Sequence, residues 1–459
     1  FRSSSDTEVI LAAYAEWGPA CFSRFRGMWG LVIVDCHRNE AILCRDRLGI
    51  KPLYLWQSSG MVAVASELKQ FLALPGFKAR LEPAVAAEYI RTGYEDPKLS
   101  FFRNVQPIEA GSWLKFSLGT LKPSGAESYW HPERVQVSVT DAEEAGRAFA
   151  GKLQECVKIH LRSDVPVGCA LSGGLDSSSV ALLADGQRNG AASALHTFTV
   201  TFPGHHSDER TYVDAVLAHM DAHQHFVTPT PEGFLQDLDR FLCIHDEPVG
   251  GFSQYAGYSV ARLTRQAGVP VSLNGQGGDE ILSGYWQTYF VHLRDLWRQG
   301  RLLELTKHFA GALLGDGNPT LVAQIPAMVR RYRARAQPPL QVLFPDSAIG
   351  NTGAVLRNVL AMSPLSRRVH EIRSMFLPQL LKWDDRNFMA FSVESRYPFL
   401  DHELIELCLS FDPRVLYDHV WVKSPLRNGL KDLLPSAIAK RRSKFGFETI
   451  IRFIYIDKK

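Results

Sequence analysis

The sequence lacks the marks of several partner classes. No apolar run approaches the roughly 20 residues that cross a bilayer, and Phe1 to Ala13 has neither the basic start nor the apolar centre of a secretory signal. Lys and Arg number 51 against 48 Asp and Glu, so a formal charge of +3 suggests neither a nucleic acid nor a membrane surface as partner. The seven cysteines (Cys21, Cys36, Cys44, Cys156, Cys169, Cys243 and Cys408) are odd in number and form no C-x-x-C pair. That argues against a disulfide framework and for a reduced, cytoplasmic protein. The G-x-x-x-x-G-K-S/T phosphate loop is absent. His205, His206, His223 and His225 have no cysteine or second acidic cluster beside them, so surface histidines account for them better than a metal site, although His223 and His225 share one face of a strand.

With 459 residues, 46% of them hydrophobic, the chain can form two or three ordinary cores. The first third reads as a helix over Thr7 to Phe25, with Asp6 as N-cap, followed by short strands at Met28–Asp35, Glu40–Asp46, Lys51–Gln57 and Met61–Ser66. More β-like runs occupy Pro107 to Trp130, and Thr140 to Glu144 resembles a capped helix start at a domain boundary. Thereafter strand candidates at 165–171, 195–202, 223–228 and 270–274 alternate with helical runs at 175–186, 208–220, 232–243 and 255–267, the pattern of a parallel sheet with helices on both faces. Beyond Gly284 the pattern is mainly helical to about Leu434, and 285–360 is the least informative stretch.

The most telling segment is Leu171-Ser172-Gly173-Gly174-Leu175-Asp176-Ser177-Ser178, between the strand at 165–171 and the helix at 175–186. A glycine pair lets the backbone approach an anion, and the helix start aims N–H groups and a positive dipole end at it. A carboxylate beside phosphates is repulsive unless a divalent cation lies between them, which makes Asp176 a candidate metal ligand. The bland alternative is a Gly-Ser turn. A second loop, Asn274-Gly275-Gln276-Gly277-Gly278-Asp279-Glu280, also follows a strand and also carries a carboxylate. Two such loops can face each other across the carboxyl ends of a parallel sheet, with Asp176 and Asp279 sharing one metal–pyrophosphate group.

These loops, with Asp246-Glu247-Pro248, the run Ser392 to Asp401 and the run Arg45-Asp46-Arg47-Leu48-Gly49-Ile50-Lys51-Pro52-Leu53-Tyr54, resemble in order the signatures of the glutamine-dependent asparagine synthetases. The resemblance implies an α/β plus α+β architecture. A partial N-terminal-nucleophile glutaminase sandwich, 1–135, precedes a PP-loop (adenine nucleotide α-hydrolase-like) parallel-sheet domain with a helical C-terminal part, 136–459. It implies ATP and Mg2+, with aspartate and either glutamine or free ammonia as small-molecule substrates. Aspartate would become its β-aspartyl-AMP, and ammonia arriving through an internal tunnel would convert this to asparagine. A homodimer is compatible with the family.

By the same resemblance, Leu171 and Val200 contact the nucleoside through the backbone, although Val200 reads equally as a strand core residue. Ser172, Gly173, Gly174 and Ser177 meet the phosphates, and Asn274 and Gly275 complete the nucleotide pocket. Lys444, in the basic run Lys440 to Lys444, would stabilise charge on the polyphosphate or the intermediate; composition alone makes that run a solvated helix end. Glu394 lies in an apolar context, where it would either handle ammonia or hold structure through a salt bridge. Asp385 and Arg386 are candidate substrate-binding residues, with Arg386 clamping an α-carboxylate.

Two departures stand out. The family nucleophile is an amino-terminal cysteine, whereas this chain starts at Phe1 and leaves only Asp6 as a glutamine-binding candidate. Cys21, Cys36 and Cys44 cannot replace a cysteine whose free amine serves as base. The expectation is a chain truncated at the N-terminus, and by its unusual tail at the C-terminus, that uses ammonia rather than glutamine. Gln276 occupies a catalytic position where the best-known members carry glutamate, and glutamine cannot take a proton. The alternatives are a related amide-forming ligase, of the β-lactam synthetase or lasso-peptide cyclase kind, or an inactive nucleotide-binding homologue.

Overall fold

The computed structural model describes residues 1–58, 60–188, 194–205, 208–314, 362–418 and 421–441. Helix α1 (Asp6–Trp17) is capped by Ser5, whose hydroxyl accepts from the Thr7 amide at 3.2 Å, so Asp6 is the first helical residue rather than the cap. The helix stops well short of Phe25: Gly18-Pro19 interrupts it, and Gly18–Arg24 forms a 3₁₀ turn.

Strands β1 (Gly30–Asp35), β2 (Glu40–Arg45), β3 (Tyr54–Ser58), β4 (Met61–Ala65), β5 (Val105–Pro107), β6 (Ser112–Ser117) and β7 (Lys122–Ser128) build two antiparallel sheets, ordered β1-β2-β6-β7 and β4-β3-β5. Alternation along β2 decides the layering. Ile42 and Cys44 face α1 with Tyr14 and Phe22, while Leu43 points the other way into a core with Leu53, Leu55, Ile108 and Phe116 between the sheets. Burial pushes the Cys21 and Cys44 thiols up, to about 11 and about 12, so both are inert at neutral pH. Helix α2 (Pro83–Thr92), which the pattern did not anticipate, starts on a proline and ends at Gly93.

The second part opens with α3 (Ala142–His160), capped by Asp141, whose carboxylate accepts from the Glu144 amide at 2.8 Å. The sheet is formed by β8 (Val167–Ala170), β9 (Leu195–Val200), β10 (Ala222–Val227), β11 (Val271–Leu273) and β12 (Glu394–Arg396), all parallel, in the order β10-β9-β8-β11-β12. Helices α4 (Leu175–Gly186), α5 (Arg210–Leu217), α6 (Pro231–His245) and α7 (Ser253–Gln266) connect its strands. β12 is a strand that the mainly helical reading of the later region did not single out: three residues between helices leave no period to detect. The chain builds outward from β8 through β9 and β10, then returns to lay β11 on the other side of β8. The strand order therefore reverses between β8 and β11, where open α/β sheets place their ligands.

Beyond the sheet lie α8 (Gly278–Ile281), α9 (Trp286–Arg298), α10 (Leu302–Leu314), α11 (Pro364–Ser374), α12 (Phe376–Met389), α13 (His402–Leu409) and α14 (Ser424–Gly429). No helix among the described residues is long and apolar enough to cross a membrane.

Two buried histidines give the fold an acid liability. Burial holds His245 and His292 down to about 3, so both fold as neutral rings, whereas in the unfolded chain they protonate near 6.5. Below that value the unfolded state binds more protons, and each histidine removes about 1.4 kcal/mol of stability per pH unit until its folded value is reached. Glu371, pushed up to about 7 by burial, acts in the opposite sense, so the comparison must be between variants. Urea unfolding of His292→Asn and wild type should show a stability difference that shifts in favour of the variant between pH 7 and pH 4 by about 1.4 kcal/mol per unit. A pH-independent difference would refute neutral burial.

Candidate functional site

The first glycine-rich loop leaves β8 and enters α4, and it is held from both sides. Ser172 and Ser177 join hydroxyls at 3.0 Å, and the Ser172 amide donates to Ser177 Oγ at 3.2 Å. The Leu171 amide donates to the Phe198 carbonyl at 2.9 Å, and its own carbonyl accepts from Thr199 Oγ1 at 2.7 Å. Gly173 has φ +67°, and a Cβ there would strike Tyr212 Cβ at 2.8 Å, so the turn needs glycine for conformation and for space. Arg441 donates to the Gly173 carbonyl at 2.7 Å, stacks its guanidinium 4.0 Å above Tyr212 and pairs with Glu209. The basic run read as a solvated helix end thus has a buried member fastened to the loop.

The second loop leaves β11 and touches the first. A Cβ on Gly275 would lie 2.7 Å from the Ser177 amide nitrogen, so the loops meet backbone to backbone. Asp176 and Asp279 converge as the sequence suggested, but on an unforeseen cation. Lys423 Nζ lies 2.8 and 2.6 Å from the two Asp176 carboxylate oxygens and 2.7 Å from Asp279 Oδ1. Lys423 is 4% exposed and sits at φ +59°, a conformation that lysine adopts only when its surroundings impose it. Two carboxylates and an ammonium thus meet at the mouths of two glycine-rich loops.

The donor set suits magnesium, which takes one or two carboxylates and fills its remaining positions with water and phosphate oxygens. Among the described residues no group of three or more His, Cys, Asp or Glu is placed to hold a metal unaided. Any ion on Asp176 and Asp279 would therefore depend on the bound polyphosphate, and Lys423 would have to give way.

Behind Asn274 stands Asp384, which sequence reasoning passed over in favour of its neighbours. Asp384 Oδ2 accepts from Asn274 Nδ2 at 3.0 Å, Ser395 Oγ at 3.0 Å and Tyr397 OH at 2.6 Å. Burial pushes this carboxyl up, and the three donors pull it back toward the ionised form. Asn274 also shares its side-chain oxygen with Ser272 Oγ at 3.2 Å, so the carboxamide is committed to orienting the loop.

Asp385 and Arg386, on the same helix α12, face the first part of the chain rather than the loops. Asp385 pairs with Lys51 at 2.6 Å, while Arg386 pairs with Asp246, itself in the second part, at 3.1 Å and lies 3.8 Å from Glu67 of the first. Asp46 explains why Lys51 is there: its carboxylate collects the amides of Leu48, Ile50 and Lys51 and folds the run after β2 into a tight turn. Lys382 joins Glu95 and Glu247 across the same interface. Next to these pairs lies a cavity of about 320 Å³, lined by Arg45, Tyr54, Glu95, Glu247, Gln379 and Lys382 among others. Lys51→Met strands the buried Asp385 carboxylate and should cost about 3 kcal/mol in urea unfolding. Adding Asp385→Asn should restore most of it; a double variant as unstable as the single would disprove the coupling.

The other candidates are placed differently from one another. Glu394 is not buried: its side chain is 45% exposed and pairs with Arg396 at 2.6 Å. It stands at the start of β12, opposite Val271, two residues back from the strand end that carries the loops. Gln276 is half-buried in the second loop, and Val200 packs at the end of β9 against Phe198 and Val260. Asp6 is exposed on α1. Lys444 lies outside the described residues. His223 and His225 come together with His196, which the sequence did not single out, through rings 4.9 and 5.2 Å away.

Both parts of the chain match known families. The asparagine synthase family model matches residues 148–453, and the glutamine amidotransferase domain model matches 1–130. A Methanocaldococcus jannaschii protein provisionally named asparagine synthetase (glutamine-hydrolyzing) 2 is 33% identical over 287 residues, 62% of this chain and 54% of its own length. Asparagine synthetase (glutamine-hydrolyzing) 3 of Bacillus subtilis is 27% identical across 96% of this chain and 70% of its own. Amidase chyE of Penicillium rubens is 27% identical across 90% of this chain and 67% of its own. The chain thus spans between 54% and 70% of the lengths of these relatives.

Proposed function

The chain belongs to the asparagine synthase family, and on that footing we propose that it activates a carboxylate with ATP and converts it to an amide, with aspartate as the acid and asparagine as the product. The observation that carries this reading is the convergence of Asp176 and Asp279 on one cation, between two glycine-rich loops at the sheet's switch point. A carboxylate does not release oxide, so it must first gain a leaving group. Its oxygen attacks the α-phosphorus of ATP, pyrophosphate departs, and ammonia then displaces AMP from the β-aspartyl adenylate. Asp176 and Asp279 would hold magnesium, which would neutralise charge on the departing pyrophosphate.

The chain's own groups do the positioning. The loop amides and the Ser172 and Ser177 hydroxyls bind phosphate oxygens once their mutual hydrogen bonds open. The Leu171 and Val200 backbones flank the nucleoside. Lys423 follows the polyphosphate charge, assisted by Lys444. Gln276 can orient an oxygen of the intermediate but cannot serve as base, so ammonia must arrive already neutral. The cavity beside Lys382 supports a route for it from the amidotransferase part (1–135) to the ligase part (136–459), with glutamine as the nitrogen source of the full-length protein. The seven free thiols support a reducing, cytoplasmic setting.

Gln276 favours one second reading. With glutamate absent and an amidase among the relatives, the acid can be one other than aspartate. The deciding measurement is pyrophosphate release by the purified chain with ATP, magnesium and ammonium, with and without aspartate. Release that requires aspartate is the expected result. Release that requires a different acid selects the second reading, and none with any acid refutes the ligase assignment.

A further inference from the structure

We propose that the cleft between α9, α11 and the segment following α13 is a second anion site, built to hold a small carboxylate or phosphate on Arg367. The cleft has a volume of about 350 Å³ and is lined by Ser283, His292, Asp295, Arg301, Arg367 and Arg414 among others. A space of that size is at the lower end of small-molecule sites.

Arg367 is 5% exposed, yet its Nε and Nη1 have no hydrogen-bond acceptor among the described residues. The Asp295 carboxylate stays 4.0 Å from Nη1, beyond hydrogen-bond reach, and gives its other oxygen to Arg294 at 2.9 Å. Neighbouring guanidiniums are better supplied, although Arg368 also has an Nε without an acceptor. Arg368 donates to the carbonyls of Ile281 at 2.8 Å and Cys408 at 2.6 Å, Arg414 binds both oxygens of Asp412 at 2.7 Å, and Arg301 pairs with Glu304. His292 brings no charge, because burial, with His308 and Arg367 nearby, holds it down to about 3. Arg301, Arg367, Arg368 and Arg414 line the cleft with Asp295 and Asp412, so arginines outnumber carboxylates among its described lining residues. A buried guanidinium with idle donors is costly, and an anion that accepts from them removes the cost.

The cleft backs onto the polyphosphate site without sharing its groups. Ser283 lies just beyond Asp279, whose carbonyl accepts from the Gly284 amide at 2.7 Å, and Tyr417 stacks on His292 with ring centroids 4.4 Å apart. An anion on Arg367 would brace the turn that carries Asp279.

The test is calorimetric titration of the whole chain with inorganic phosphate and, separately, with malonate. Lys423→Met controls for anions binding between the glycine-rich loops. Wild type and Lys423→Met should bind one of the two anions alike, and Arg367→Gln should bind it at least about tenfold more weakly, as expected when charge-assisted hydrogen bonds are lost. Whichever anion binds identifies the class. Without anion, Arg367→Gln should unfold at the same temperature as wild type or higher, since it discards a buried guanidinium with two idle donors. Undiminished binding by Arg367→Gln, no saturable binding of either anion, or a lower unfolding temperature for that variant would each overturn the proposal. None of these readouts requires turnover, so they stand independently of the ligase assignment.

Discussion

Lys423→Met is expected to lower unfolding stability by about 3–5 kcal/mol, because it leaves two buried carboxylates facing each other without their common cation. Asp176 and Asp279 each come within 2.8 Å of the Lys423 nitrogen. At a separation of roughly 5 Å two like charges repel by about 3 kcal/mol at an effective dielectric constant near 20. Magnesium added together with pyrophosphate should therefore raise the melting temperature of the variant more than that of wild type, since a divalent ion can replace the ammonium. Pyrophosphate release should fall by about 100- to 1,000-fold, the usual penalty for removing one preorganised donor at a site of developing charge. Equal magnesium-induced shifts in the two proteins would mean that the carboxylates do not bind the ion.

Gly275→Ala should have the next largest effect, from a single methyl group. Its Cβ would lie 2.7 Å from the Ser177 amide nitrogen and 3.0 Å from the Asp176 carbonyl carbon, both backbone atoms that no rotamer change can clear. The loops must separate, at a cost of about 1–3 kcal/mol for overpacking. A displacement approaching 1 Å between groups that bind one polyphosphate lowers kcat/KM for ATP by about 100-fold. Gly186→Ala, in α4 with nothing within 4 Å of the added carbon, provides the control. It should leave the kinetics unchanged and raise stability by about 0.5–1 kcal/mol. Parallel losses in both variants would show that the Gly275 effect is not one of contact between the loops.

Much of the site was legible because its chemistry is local. Gly173, Gly174 and Asp176 fall within four residues and follow a strand-like run, so strand, anion turn and helix start could be read from a short stretch. Asn274 to Asp279 repeats that arrangement. Lys423 could not be found the same way. It sits between a two-residue strand and a short helix, with no periodicity around it, and its partner Asp176 is 247 positions away. Asp384 and Asp385 make the same point over one step. Consecutive helical residues point about 100° apart, so one reaches Asn274 and the other Lys51, and only packing decides which.

The sequence by itself determined the alternating β/α order, the two glycine-rich turns and the carboxylates they carry, because each depends on backbone sterics and charge within a few residues. The tertiary structure alone decided that Lys423 joins Asp176 to Asp279, that Asp385 and Arg386 serve the interface, that Glu394 is half exposed, and that Arg367 keeps two donors without an acceptor among the described residues, beside a cleft. Those outcomes depend on how elements far apart in the chain divide a limited set of buried charges, and no local pattern records that division.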